Sequence, residues 1–317
     1  MQITFLGTSA GVPTRSRNVS CVALRLPQRA EVWLFDCGEA TQHQLLRSDV
    51  KSGHITRIFI THLHGDHLFG LPGLLATCGM AGNAAQSINI YGPPGLEEYL
   101  QECVRRTGSH PSGNTKVHTV SPGTIFADDD FTVTCLPLVH RIETFGYRIE
   151  EQDQPGAFDV AKAVALGIPS GPLYGKLKRG ERIKLSDGRE FDGQDFSAPI
   201  IKGRSIAYCA DTIFCENAIE LARDADVLIH EATFANEDED LAKRSLHSTA
   251  RMAAQVALEA NAKRLLLTHL SPRYAAGQSI TFDDLLAQAR AVFRETEMAR
   301  DFLVVDVPRH RQHDDSA

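Results

Sequence analysis

The amino-acid sequence predicts an α/β fold, and three observations carry the prediction. Short apolar runs of strand length alternate with longer segments of helical periodicity. The 317 residues, 43% apolar and 23% charged, supply ample core for one large α/β domain or two ordinary ones. Histidines and acidic residues recur where strand-like runs finish, the edge at which α/β architectures gather their active sites.

Residues 2–6, 19–26 and 31–36 are strand-like, and the last two are spaced to pair as a hairpin across residues 27–30. Cys37-Gly38-Glu39 ends the third run, and a short helix over 41–47 follows. A strand at 55–61 feeds the run Thr61-His62-Leu63-His64-Gly65-Asp66-His67. Residues 68–77 read as a helix with its Gly and Pro confined to the first turns. A strand at 88–91, a Gly-Pro-Pro-Gly turn, a helix at 96–106 and a strand at 131–139 come next. From about 150 to 197 the character changes to dense polar residues around a Gly/Pro-rich run, 167–175, followed by Lys176, Lys178, Arg179, Arg182 and Lys184. This stretch is expected to be an insertion that leaves the globule and ends in a basic tip. Strands resume at 204–209, 226–230 and 264–268, with an Ala-rich helix at 248–259 between the last two. A helix at 282–294, a strand at 302–305 and a loose polar tail at 309–317 complete the chain.

Composition narrows the class. Seven cysteines are scattered and never spaced Cys-x-x-Cys, so they read as reduced thiols of a cytoplasmic protein rather than a thiolate zinc cluster. No apolar run approaches the roughly eighteen residues needed to cross a membrane, and the amino terminus lacks the basic segment of a signal peptide. A net charge of −7 excludes indiscriminate binding to polyanions. Any such substrate must be met by local basic patches or bound metal.

The run at 61–67 carries the chemistry. His62 and His64 alternate on one side of an extended chain, so both imidazoles converge on one point. Gly65 then permits a turn that a side chain would resist, which aims Asp66 and His67 at a second point. His140, Asp211 and His269 each stand at the end of a predicted strand, as do His230 and Glu231. Seven ligand-type groups exceed one tetrahedral ion and suit two: His62, His64 and His140 on one, Asp66, His67 and His269 on the other. Asp211 is the bridge, because a carboxylate has two oxygens whereas an imidazole offers one free nitrogen. Such a donor set suits zinc, with manganese or iron as substitutes. Each ion keeps a position for water, and Asp66 is also placed to orient that water and take its proton.

The His-x-His-x-Asp-His cluster with His140, Asp211 and His269 resembles the metallo-β-lactamase superfamily. The resemblance implies a four-layer αββα sandwich, over residues 1–317 as a single domain, with a dimetal hydrolytic site at one sheet edge. Further motifs narrow it: Pro13-Thr14-Arg15-Ser16-Arg17-Asn18, Ala210-Asp211-Thr212, His230-Glu231-Ala232-Thr233 and His247-Ser248-Thr249 resemble the ribonuclease Z family. Members are endoribonucleases that remove 3′ trailers from precursor tRNA, with two zinc ions per chain and, in the short type, a homodimer. The resemblance implies that the Gly/Pro-rich segment is an arm gripping the tRNA body, with Lys176, Lys178 and Arg179 as contacts. It also implies that His247 protonates the leaving ribose oxygen and that Glu231 holds His247 charged. Arg15 and Arg17 suit phosphate oxygens, and Asn18 a base edge of the single-stranded 3′ end. The alternative is a dimetal phosphodiesterase for a small substrate, which would have no need of a remote basic segment.

Overall fold

The computed structural model describes residues 1–80, 87–111, 114–154, 156–196 and 200–309. The tail expected at 309–317 lies outside them beyond Arg309. In chain order the first half contains β1 (Gln2–Gly7), β2 (Cys21–Leu26), β3 (Glu31–Phe35), α1 (Thr41–Leu46), β4 (Ile55–Phe59), α2 (Gly65–Leu68), α3 (Leu71–Met80), β5 (Ile88–Gly92), α4 (Leu96–Thr107), β6 (Thr115–Thr119), β7 (Gly123–Ala127), β8 (Phe131–Pro137) and β9 (Phe145–Glu151). Then come α5 (Val160–Ala165), α6 (Pro172–Lys178), β10 (Ile183–Lys184), β11 (Glu190–Phe191), β12 (Ser205–Cys209), α7 (Glu216–Ala222), β13 (Val227–Glu231), α8 (Glu239–Ser245), α9 (Ala250–Glu259), β14 (Leu265–Thr268), α10 (Phe282–Arg290), β15 (Thr296–Met298) and β16 (Val304–Asp306).

Two compact units form: residues 1–150 with 205–308, and residues 151–204 with the segment from Arg309. The first holds two seven-stranded sheets, ordered β16-β1-β2-β3-β4-β5-β6 and β15-β14-β13-β12-β9-β8-β7. Side-chain alternation explains why they stack. Ile3, Phe5, Trp33 and Phe35 face inward and pack with Tyr147, Ile149, Ile206 and Tyr208 of the other sheet. The intervening Val32 and Leu34 face outward and bury Leu45 of α1, Leu74 of α3 and Leu100 of α4. On the second sheet, Ala207, Cys209, Leu265 and Leu267 are covered by α7, α9 and α10. Three apolar interfaces between four layers make the αββα sandwich. Strands β3 to β6, and β12 to β15, run parallel, so their carboxyl ends gather at one edge of each sheet.

Several elements depart from expectation for stated reasons. Strands β2 and β3 form the expected hairpin, with Ala30 at φ 52° closing its short turn. The helix expected from residue 68 begins at Gly65 and breaks into α2 and α3. Strands β6 and β7 were not anticipated, because they are edge strands whose side chains are all exposed or half-buried. Strand β9 hid behind Gly146, which a pattern reader takes for a break. The glycine is required: a Cβ there would lie 2.6 Å from the Leu221 side chain.

The second unit has more regular structure than an insertion so rich in Gly and Pro suggested. Most of those residues stand at element ends: Gly167 and Gly171 take positive φ, and Pro172 opens α6 at a position that needs no N–H, while Gly175 lies within α6. Between them, Ala163, Ile168, Leu177, Ile183 and Phe196 make a small core of their own. Glu151 is clasped by Arg204 at 2.7 Å and by Arg309 at 2.7 Å. The expected basic tip is largely neutralised, since Arg179, Arg182, Lys184 and Arg189 pair with Glu181, Asp192, Glu190 and Asp187. Lys176 and Lys178 remain exposed on α6.

Candidate metal centre and active site

Four chain segments deliver the ligand-type residues, each just past a strand, and a fifth brings Glu231. Residues 61–67 follow β4, His140 follows β8, Asp211 follows β12, Glu231 ends β13 and His269 follows β14. Within the first unit they meet in two sets whose donor atoms lie within 4.8 Å of one another: His62, His64, His140 and Asp211, and Asp66, His67 and His269. Asp211 stands between them. Its Oδ2 lies 3.5 Å from His62 Nε2 and 3.7 Å from His140 Nε2, while Oδ1 lies 3.2 Å from both His67 Nε2 and His269 Nε2.

The hydrogen bonds behind the imidazoles set which nitrogen faces inward. Thr61 donates its hydroxyl to Asp36, so it accepts from His62 Nδ1–H at 2.9 Å. His67 Nδ1 donates to Asp36 Oδ2 at 2.8 Å, and His140 Nδ1 to the Leu246 carbonyl at 3.0 Å. Thr233 donates to Glu231 at 2.6 Å and so accepts from His269 Nδ1–H at 3.0 Å. Each leaves an Nε2 lone pair pointing into the site. His64 turns the other nitrogen inward, Nδ1 sitting 3.0 Å from His62 Nε2 and 3.3 Å from His140 Nε2. Lone pairs crowded this closely need a cation between them. Asp211 Oδ1, buried with no hydrogen-bond partner, is an orphan of the kind a metal ion satisfies.

Electrostatics agree. Burial and the neighbouring His67, His140 and His64 keep the His62 pKa well below the ordinary value, so it is a neutral ligand. For Asp211 and Asp66 burial opposes charge, but adjacent imidazoles more than offset it and hold both carboxylates ionised. His67 is buried among Asp211, Asp36 and Asp66, which raise its pKa against the effect of burial. The same field that would hold a proton there holds a metal ion. The donor set of imidazoles and carboxylates fits a divalent cation.

Beside the centre, Glu231 is fully buried and saturated. It accepts from the Thr212 N–H, the Thr233 N–H and hydroxyl, and His247 Nδ1 at 2.8 Å. Burial disfavours the His247 imidazolium, yet Glu231 wins and pushes its pKa up to about 9. His247 Nε2 faces Asp211 at 3.9 Å, and His247 could complete a further ligand set with Asp211 and His269. Glu231 fixes the ring through Nδ1, which leaves Nε2 facing the centre.

Other expected residues fall differently. Gly65 has no positive φ, so the turn does not call for glycine; a Cβ there would lie 2.3 Å from the ring of Phe69, an exposed side chain with room to move. Arg17 donates to Thr8 Oγ1 and the Ala299 carbonyl, both at 2.7 Å, and stacks its guanidinium 4.6 Å from the Phe282 ring centroid. The Asn18 amide donates to the Glu39 carbonyl at 2.8 Å. Both are engaged in holding their loop, whereas Arg15 is exposed on it. Lys176, Lys178 and Arg179 belong to the other unit. Asp36, the fully buried acceptor for Thr61, His67 and Tyr208, was missed. Its only signal was its place at the end of a predicted strand next to Cys37-Gly38.

A family described as the anti-Pycsar protein Apyc1 matches residues 1–152, and one described as a β-lactamase superfamily domain matches residues 180–270. Ribonuclease Z of Cyanothece sp. (strain PCC 7425) is 66% identical over 98% of this chain and 97% of its own length. Ribonuclease Z of Acaryochloris marina is 64% identical over 98% of each. The crystal structure of human tRNase Z, short form, superposes with a TM-score of 0.71 at 33% identity, covering 97% of this chain and all of that one.

Proposed function

The chain belongs to the ribonuclease Z family, and on that premise we propose how its residues carry out the family's reaction. It is an endoribonuclease that removes the 3′ trailer from precursor tRNA, leaving a 3′-hydroxyl on the tRNA and a 5′-phosphate on the trailer. His62, His64, His140 and Asp211 hold one divalent ion, and Asp66, His67, His269 and Asp211 a second. Zinc is the first choice and manganese the alternative. When bound, the ions lower the pKa of water and neutralise charge on phosphate oxygens. Asp66 orients the attacking water and accepts its proton. His247, kept charged by Glu231, presents Nε2 at 3.9 Å from Asp211 and gives the proton there to the departing ribose 3′ oxygen. Arg15 meets a phosphate from the rim of the site. Arg17 and Asn18 support that loop and contact RNA only through groups their present bonds leave over. Exposed Lys176 and Lys178, with Arg179, grip the tRNA body.

The protein works as a homodimer in the cytoplasm, where its seven free thiols stay reduced. No helix among the described residues is long and apolar enough to cross a membrane. What carries the reading is the convergence of seven ligand-type groups in a chain whose relatives at 60–66% identity are ribonuclease Z. The test gives purified protein precursor tRNA and bis-p-nitrophenyl phosphate, with and without chelator, and maps the RNA ends. Cleavage at the tRNA 3′ side that chelator abolishes supports it. Hydrolysis of the small diester alone would return the chain to the small-substrate reading.

A further inference from the structure

The loop at residues 8–18 touches the metal centre at two places. Leu270, directly after His269, exchanges backbone bonds with it, from Leu270 N–H to Thr8 O at 2.9 Å and from Ala10 N–H to Leu270 O at 3.1 Å. At its tip the Gly11 N–H donates to Asp66 Oδ2 at 2.9 Å. Gly11 reaches that position with φ +70°, a conformation few other residues adopt. That oxygen is the one facing His67 Nε2 at 3.4 Å and His269 Nε2 at 3.3 Å, so a loop that bonds it must itself be fixed.

Both ends of the loop are tied to one carboxylate. Asp301, between β15 and β16, accepts from the Thr8 hydroxyl at 2.8 Å through Oδ1. Through Oδ2 it accepts from the Asn18 N–H at 2.7 Å and Gln44 Nε2 at 2.8 Å. Gln44 is itself buried and also donates to the Leu6 carbonyl at 2.7 Å. Arg17 donates to Thr8 Oγ1, so that hydroxyl accepts one bond and passes another to Asp301. Asp301 thus joins the start and finish of the loop, and no motif in the sequence includes it.

We propose that Asp301 is a positioning residue that locks the 8–18 loop onto the metal centre, so that the Gly11 N–H holds Asp66 in its ligating orientation. It acts through Asp66 and touches neither metal nor substrate. This rests on the metal centre of the proposed function and not on the identity of the RNA. Asp301→Asn keeps the shape but turns one accepting oxygen into a donor facing other donors, which opens the staple.

The experiment strips the full-length chain of metal and titrates it with zinc against a chromogenic chelator. Asp301→Asn is expected to weaken zinc binding about 10–100-fold, the usual cost of losing a partner behind a ligand. Its kcat on bis-p-nitrophenyl phosphate should fall in step, with KM little changed. Thr8→Val, which removes the bond to Asp301 and the acceptor of Arg17 with little change in volume, should shift both in the same direction by less, and stands in if Asp301→Asn fails to fold. Native zinc affinity in both variants would overturn the proposal. So would a lower melting temperature with unchanged zinc affinity in the folded protein, since that marks a loop tie without influence on the centre. Failure of the native chain to take up zinc would instead sink the metal reading, and this proposal with it.

Discussion

At the scale of single residues, the centre is built by what stands behind each imidazole. Asp36, Thr61, Thr233 and the Leu246 carbonyl each take a proton on the far nitrogen and so aim the near one inward. The division of labour proposed for Asp66 and His247 can be tested residue by residue. Replacing Asp66 by Ala should abolish hydrolysis while leaving precursor tRNA binding nearly intact in a gel-shift titration; loss of both together would mean assembly had been mistaken for catalysis. His247→Asn should lower kcat on precursor tRNA by about 10²–10⁴, the range for a lost general acid. The same variant should lose far less on bis-p-nitrophenyl phosphate, because p-nitrophenolate departs without a proton. Equal losses on both substrates would instead make His247 a ligand.

At the scale of elements, the segment 151–204 folds around its own core, so deleting α6 would remove Leu177 from it and confound any reading of RNA contact. The sharper change is the pair Lys176→Ala and Lys178→Ala. If both lysines meet phosphates, affinity falls and the slope of log K against log salt drops by roughly two. Hydrolysis of the small diester should stay as it was, and an unchanged slope would remove these lysines from the interface. The clasp at Glu151 makes a pH prediction. Burial opposes its charge, but bonds to Arg204 and Arg309 bring its pKa down to about 2 from an ordinary 4.5. A lowered carboxylate pKa adds stability above 4.5, lost as pH falls from there toward 2. Limited proteolysis within 151–204 should accelerate across that window, and Glu151→Gln should flatten the dependence.

At the scale of the whole molecule, the sandwich is expected to fold without bound metal. Trp33, Tyr147, Tyr208 and their neighbours bury a core between the sheets independent of the centre. Chelation should therefore abolish activity yet leave the far-ultraviolet circular dichroism nearly unchanged; wholesale loss of secondary structure would make the ions structural. With a net charge of −7, tight RNA binding has to come from local cations and bound metal, which makes it steeply salt-dependent.

How much was legible in advance depended on the range of the cause. The ligand run at 61–67, the strand ends at His140, Asp211 and His269, and the αββα class implied by the family motifs were readable, because alternation and strand-end placement are written locally. Edge strands β6 and β7 were not, since half-exposed side chains carry no clear period. Nor was the core of the 151–204 segment, where Gly and Pro serve as element ends rather than as a break in structure. The sequence by itself determined which side chains are available as ligands and on which strand ends they stand. Only the tertiary structure decided that Arg17 and Asn18 brace a loop, and that Asp36 and Asp301 hold the parts in place. Those outcomes depend on distances between segments far apart in the chain, which packing of the two sheets sets and no local pattern encodes.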